Sequence, residues 1–138
     1  MKVFIDACLL IYLNTLTNAY VRGMYENFYL NVLSKYKAFT DVLVLDELIY
    51  ISEKKYNVPS SVTLGFIDST VLSYVTILGL GEEEYRRAYL YIKEYGLKLS
   101  DALHLGAMKN NGIEYIASED LDFDKVGEIK RVWLSSAT

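Results

Sequence analysis

Four acidic residues stand where a carboxylate is either costly or aimed at a ligand: Asp6, Glu47, Asp101 and Asp120. Asp6 closes the short apolar run Val3-Phe4-Ile5. Asp120 lies in Ser118-Glu119-Asp120-Leu121-Asp122, just after the apolar Tyr115-Ile116-Ala117. Asp101 falls in the first turn of a helix that Ser100 is placed to cap. Glu47 sits inside VLVLDELIYI, with Leu43, Val44, Tyr50 and Ile51 three and four residues away. That spacing predicts a side chain pointing partly into the core. A carboxylate among apolar neighbours must be paired, protonated or bound to a metal. Two of them about 4 Å apart repel by roughly 4 kcal/mol at an effective dielectric of ~20. Lys98 and Lys125 lie three residues from Asp101 and Asp122 and would leave half the charge unmatched. A divalent cation balances it, and all-oxygen ligands select Mg²⁺ or Mn²⁺ over zinc. Carboxylate-held magnesium suits phosphodiester hydrolysis. Singly, each acid also suits a plainer role as a cap, a turn residue or a partner of a helix dipole.

The elements that must position these acids can be read from hydrophobic period and capping signals. Val3-Phe4-Ile5 reads as a buried parallel strand, and Leu9 to Leu13 as a short helix stopped near Asn14. A helical stripe of Val21, Met24, Tyr25, Phe28, Val32 and Tyr36 spans Asn18 to about Ala38. Thr40 or Asp41 is placed to cap the next helix, through Val44, Leu48 and Ile51. Pro59 suits the first turn of a further helix. Val75 to Leu78 is strand-like, and Gly79 and Gly81 mark a turn. Glu82-Glu83-Glu84 open a helix that Gly96 ends, and the helix after Ser100 stops at Asn111-Gly112. Tyr115 to Ala117 is a short strand, Leu121 to Val126 a short helix or turn, and Arg131 to Leu134 a last strand. Strands separated throughout by helices predict an α/β sandwich with a mostly parallel central sheet, whose ligands bind at the carboxyl ends of its strands.

Composition narrows the function. The chain has 138 residues, with 18 acidic against 14 basic, a net charge of −4, and one His, one Cys and one Pro. The length suits one domain over residues 1–138, and 52% apolar residues exclude an intrinsically disordered chain. One Cys and one His exclude an internal disulfide and a Cys/His zinc site. Asp6 interrupts the N-terminal apolar run, so no secretory leader is expected. The most membrane-like window, Ser60 to Gly81, carries Asp68 and many Ser and Thr, and reads as a buried helix and a strand. The expectation is a cytoplasmic domain without a membrane. Basic residues adjoin only as the pairs Lys54–Lys55, Arg86–Arg87 and Lys130–Arg131, which disfavours a broad DNA-binding face. A bound metal can still bring a phosphate to an acidic site.

The segments FIDACLLIY, LDELIYI, KLSDALHLGAM and IASEDLDF, in that order, resemble those of the PIN-domain ribonucleases, particularly the VapC-type toxins of toxin–antitoxin pairs. The resemblance covers nearly the whole chain. It implies a three-layer α/β/α fold and a Mg²⁺- or Mn²⁺-dependent endoribonuclease, the toxin of a type II pair. RNA is then the substrate, an antitoxin protein the partner, and a homodimer remains open. Position by position, Asp6, Glu47, Asp101 and Asp120 look like the family's four acids, and Asp122 like its additional acid. Asp6 and Asp101 would contact the metal, with Glu47 and Asp120 completing the site directly or through water. The chain departs where the family usually has Thr or Ser and then Asn or Ser: here stand Ala7 and Cys8. Lost polar contacts there would loosen the groups that orient Asp6, although Ser118 matches the family's hydroxyl.

Other residues admit two readings. Cys8 is a small core residue or a substitute polar group. His104, one turn from Asp101, is a packed helix histidine or a group near the phosphate. Among thirteen tyrosines, Tyr20, Tyr25, Tyr29 and Tyr36 serve packing and protein contacts or stack on RNA bases. The rival to an enzyme is a non-catalytic PIN-like module that binds RNA or protein. A phosphatase with an aspartyl nucleophile fits less well, because Cys8 stands where its second Asp would be.

Overall fold

A computed structural model describes residues 1–134. Its centre is a five-stranded sheet in the order β3-β2-β1-β4-β5. The strands are β1 (Lys2–Ile5), β2 (Lys37–Asp41), β3 (Val75–Leu78), β4 (Tyr115–Ala117) and β5 (Lys130–Val132), and every neighbouring pair is parallel. The long helices are α1 (Ala7–Thr15), α2 (Ala19–Lys35), α3 (Val42–Tyr56), α5 (Glu82–Tyr95) and α6 (Leu99–Asn110). The shorter α4 (Ser60–Phe66) runs into a π-turn at Ile67–Val71, and a 3₁₀ turn spans Leu121–Lys125.

Strand order dictates the layers. From β1 to β2 to β3 the chain steps one way across the sheet, and from β3 to β4 to β5 it steps back past β1. Parallel crossovers are right-handed, so α1 to α4 cover one face and α5 and α6 the other. Accordingly, α1 packs against α2 and α3, and α5 against α6. The expected three-layer α/β/α sandwich is thus the fold. The reversal of direction at β1 leaves a crevice beyond the carboxyl ends of β1 and β4, the place where such sheets bind ligands. Val3, Phe4 and Ile5 on β1, Ile116 and Ala117 on β4, and Leu105 and Met108 on α6 are fully buried. Each large apolar side chain so buried contributes about 1.5–3 kcal/mol.

Several local expectations need correction. The helical stripe stops at Lys35 rather than near Ala38, and a strand, β2, occupies Lys37–Asp41. Its segment KAFTD is too short to show a period, and no Gly or Pro separates it from α2. Lys98, not Ser100, precedes α6, and Ser100 lies inside the helix. Pro59 is the cap of α4 rather than part of its first turn. The last strand ends at Val132, before Trp133 and Leu134. Other signals hold. Asn18 and Asp41 cap α2 and α3 with their side chains. Glu84 accepts the Gly81 N–H at 2.7 Å, and Gly96 ends α5 in the left-handed conformation at φ 67°. No helix among the described residues is long and apolar enough to cross a membrane.

The α5–α6 contact depends on one missing side chain. A Cβ on Gly106 would lie 2.6 Å from the Glu84 carbonyl oxygen, which is backbone and cannot swing aside. Helix propensity alone would make Gly106→Ala stabilising by about 1 kcal/mol. Overpacking should outweigh that, so Gly106→Ala is expected to destabilise the fold by about 1–3 kcal/mol in urea titration. A higher unfolding midpoint in the variant would refute this account of the packing.

Candidate active site

The first acid is fixed by the start of α1. Asp6 follows β1 as the cap of α1, and its Oδ1 accepts the Ala7 N–H at 2.8 Å. Its Oδ2 accepts the Ser118 hydroxyl at 2.7 Å, and the Asp6 N–H donates to the Ala117 carbonyl at 3.1 Å. Ser118 is wholly buried, and its oxygen also accepts the Asp120 N–H at 3.1 Å. One hydroxyl therefore ties the acid after β1 to the acid after β4. Arg131 on β5 secures the same loop, donating to the Ser118 carbonyl at 3.1 Å while pairing with Asp124.

Asp6, Glu47, Asp101 and Asp120 line one open cavity of about 340 Å³, with Cys8, Ile11, Ser118, Glu119 and Lys98. The four acids arrive from four separate segments, which is what their positions in the sequence implied. Asp122 is not among the lining residues; it is exposed and pairs with Lys125 at 3.4 Å. Glu47 departs from expectation in orientation. It is exposed at the cavity mouth rather than directed into the core, because Val44 and Leu48 take the buried stripe of α3.

Electrostatics record the crowding. Asp101 is 6% exposed, and its Oδ2 is enclosed with no hydrogen-bond partner. Burial raises its pKa to about 6, with Asp6 and Asp120 adding to the rise and Lys98 and His104 opposing it. Glu47 is also raised, by partial desolvation first and the charge of Asp6 second. Cys8 answers the question left by its sequence position: it is half-buried on the cavity wall, its thiol 4.0 Å from the Ser118 oxygen and hydrogen-bonded to the backbone of Glu119. Burial, then Asp6, pushes that thiol up to about 12, so it is neither nucleophile nor thiolate ligand near neutral pH.

These residues fit a hard divalent ion. The carboxylate donors are all oxygen, and among the described residues one carboxylate oxygen is buried without a partner and Lys98 is the single cation on the cavity wall. Among the described residues, no three Asp, Glu, His or Cys side chains are gathered tightly enough to enclose an ion as they stand. Like charges hold one another apart until a counter-charge arrives, and both oxygens of Asp6 already accept hydrogen bonds.

Two features escaped the sequence reading. Glu119 is a fifth acid on the wall, accepting the Tyr12 hydroxyl at 2.5 Å. Its place between Ser118 and Asp120 was the available signal. Asp41 was read only as a possible cap; it is wholly buried and does two tasks. Its Oδ1 accepts the Val44 N–H at 3.0 Å, and its Oδ2 meets His104 Nδ1 at 2.6 Å. His104 is thus a packed histidine, 3% exposed, against the Phe4 ring at 5.1 Å. Burial lowers its pKa, but the bond to Asp41 and the charges of Asp41, Asp6 and Asp101 outweigh that, and the net direction is upward. The pair fastens the start of α3, which carries Glu47, to α6, which carries Asp101. Removing one partner of such a buried pair typically costs about 3–5 kcal/mol.

Comparison with known proteins agrees with this architecture. The model of the PIN domain family matches residues 3–129. No curated protein matches the sequence significantly. Among solved structures, the sarcin-ricin loop cleaving toxin VapC20 of Mycobacterium tuberculosis superposes with a TM-score of 0.72 at 16% identity, over 91% of this chain and 95% of that one. VapBC2 of Rickettsia felis, bound to a DNA fragment from its promoter, gives 0.69 at 15% identity, over 96% and 98%. VapBC-1 of nontypeable Haemophilus influenzae gives 0.69 at 13% identity, over 98% and 99%. At these identities the likeness is one of fold.

The raised Asp101 carries a stability consequence. A carboxyl whose folded pKa lies above its unfolded value binds more protons when folded, so its effect on stability is most favourable at low pH and declines as pH rises through about 6. Without divalent ions, Asp101→Asn should therefore stabilise the protein at pH 7.5, by on the order of 2 kcal/mol. The gain should shrink toward zero near pH 4. Denaturant titrations of both proteins at the two pH values measure it, and equal or lower stability of the variant at pH 7.5 would refute the strain assigned to Asp101.

Proposed function

We propose, from the premise that this chain belongs to the PIN-domain family, that it is a divalent-metal-dependent endoribonuclease and the toxin of a toxin–antitoxin pair. One observation carries the reading: four carboxylates from four separate elements share one open cavity at the carboxyl edge of a parallel sheet, and one of their oxygens is buried without a partner. Mg²⁺ or Mn²⁺ is the cofactor that such a donor set selects. Asp6 and Asp101 would hold the ion, with Glu47 and Asp120 contributing directly or through water. Asp122 would join only by leaving Lys125. A bound ion supplies there an acidified water and a counter-charge for the leaving oxygen.

The protein's own groups prepare that chemistry. Ser118 fixes the rotamer of Asp6, so the carboxylate does not have to be ordered at the moment of reaction. That contact holds although Ala7 and Cys8 offer no hydroxyl or amide beside it. Lys98 places a positive charge on the wall against which a phosphate's non-bridging oxygen can rest. The openness of the cavity suits a chain that passes through rather than a small molecule that is enclosed.

The partner follows from the same charge. A basic segment of an antitoxin that presents arginine would pair with these carboxylates bidentately and block the site. Several structures of similar fold, including those from Rickettsia felis and Salmonella typhimurium, are toxin–antitoxin assemblies bound to DNA, which supports an antitoxin here. A cytoplasmic location accords with an RNA substrate, and a homodimer remains compatible with the fold.

A second reading, a non-catalytic PIN-like module that binds RNA or protein, is favoured by Ala7 and Cys8 and by the absence, among the described residues, of a tight metal-binding cluster. Calorimetric titration with Mn²⁺ separates the two, since the module would bind RNA or partner without taking up metal. For the enzyme, Asp6→Asn and Asp101→Asn should each abolish RNA cleavage in Mg²⁺, with the far-ultraviolet circular dichroism unchanged. Undiminished cleavage by either variant would sink the proposal.

A further inference from the structure

A second cavity, of about 320 Å³, opens between α3 and α6 beside the first. Glu47 lines both, so whatever fills one lies next to whatever fills the other. That volume is at the small end for a ligand site, enough for a single ring system rather than a large molecule.

His104 gives this cavity a specific chemistry. Its Nδ1 is committed to Asp41, and among the described residues no protein group hydrogen-bonds its Nε2. Nε2 is also not one of the fully enclosed unpartnered atoms, and His104 lines the cavity, so this nitrogen meets the cavity space. A buried ring nitrogen held in fixed orientation and left without a partner is costly unless a water or a ligand bonds it. The rest of the lining is selective. Leu43 and Ile51 are apolar walls, and the Tyr50 ring, 59% exposed, offers a flat face. Asp46 and Glu47 place two carboxylates at the rim, which repel a phosphate and accept hydrogen bonds from N–H donors.

A flat, uncharged occupant with N–H donors, joined to a phosphate that lies in the neighbouring cavity, is a nucleobase. We propose that this second cavity seats one unpaired base of the RNA, stacked on Tyr50 and read along its edge by Asp46 and His104 Nε2. The inference rests on the ribonuclease reading for the identity of its ligand, and it adds a base subsite to that site. The Asp46 carboxylate accepts from the N–H or amino group of the base, and His104 Nε2 supplies the second hydrogen bond. Every base carries a donor beside an acceptor along one edge, so this pair fixes how a base lies in the cavity rather than which base enters it. Among the tyrosines picked out from the sequence, Tyr29 is buried with its hydroxyl on the Thr70 carbonyl at 2.7 Å, and Tyr36 packs on Tyr115. Tyr50, which was not picked out, has both the exposure and the position.

His104 is the chain's single histidine, so its imidazole resonances are unambiguous. Wild-type protein, free of divalent ions, would be titrated with cytidine, adenosine, guanosine and uridine while those resonances are followed by NMR. At least one of the four should shift them saturably, and the tightest binder is the preferred nucleoside. Tyr50→Ala should weaken the preferred nucleoside about tenfold, the size of a lost base–aromatic stack. Asp46→Ala should weaken it several-fold through loss of the acceptor. No saturable shift with any nucleoside, or an unchanged response in Tyr50→Ala, would overturn the subsite. So would a shift produced by N-acetylarginine amide and by none of the nucleosides, which would make the cavity an anchor for a basic peptide. The titration involves neither metal nor cleavage, so its failure leaves the ribonuclease reading standing, and an inactive Asp101→Asn variant does not bear on it.

Discussion

Mutual repulsion among carboxylates is the constraint around which this molecule is arranged. Asp6, Glu47, Asp101, Glu119 and Asp120 face one cavity with a single lysine between them. In water such a group would spread out. Here it is held by elements that cannot move apart without exposing the core, since β1, β4 and α6 supply much of the fully buried apolar surface. The strain settles on Asp101, the most enclosed of the acids that lack a partner for one oxygen. On the metal-dependent reading, this strain is what an incoming cation would relieve.

Two small polar devices make the arrangement tolerable, one in the cavity wall and one behind it. Ser118 spans the gap between the ends of β1 and β4, giving a hydrogen bond to Asp6 and receiving one from the backbone of Asp120. The Asp41–His104 pair spans the two helical layers at the same edge. A buried ion pair is weak evidence for net stability, but it resists sliding, because displacing either group strands a charge. Apolar packing of each helix on its own face of the sheet would not by itself tie α3 to α6. The pair fixes them, and with them the separation of Glu47 from Asp101.

How legible this was in the sequence depended on range. β1, β4 and the strand at Val75 announced themselves because they are short apolar runs ended by polar or glycine residues, and Gly96 ended its helix where a left-handed residue was needed. The acids at strand ends were visible for the same reason: Asp6 and Asp120 are local punctuation. β2 was hidden because its residues, Lys37 to Asp41, follow α2 without a breaker, and only pairing with β1 and β3 makes them a strand. The Asp41–His104 bond joins residues 63 apart in sequence, and neither identity alone discloses a partner at that distance. Glu47 shows the complementary error. Its neighbours at three and four residues are apolar, yet Tyr50 is itself exposed, so the apolar stripe is narrower than its composition suggested.

Charge bookkeeping gives the cavity a wider meaning. Five acids against Lys98 leave it at −4, which is also the net charge of the whole chain. Of the remaining thirteen acids and thirteen bases, Asp41 is buried against His104, and the exterior is close to balanced. Such a surface neither draws nor repels a polyanion at distances beyond the Debye length, about 8 Å at physiological ionic strength. On the ribonuclease reading, RNA cannot be gathered by a basic field as it is by a duplex-binding protein. Its affinity has to come from the site itself, through the bound ion, Lys98 and whatever contacts the flanking nucleotides make. An ion must then precede the phosphate, because the empty cavity opposes it. A base contact beside the cavity gains importance for the same reason, since a nearly balanced exterior adds little to the hold on a strand.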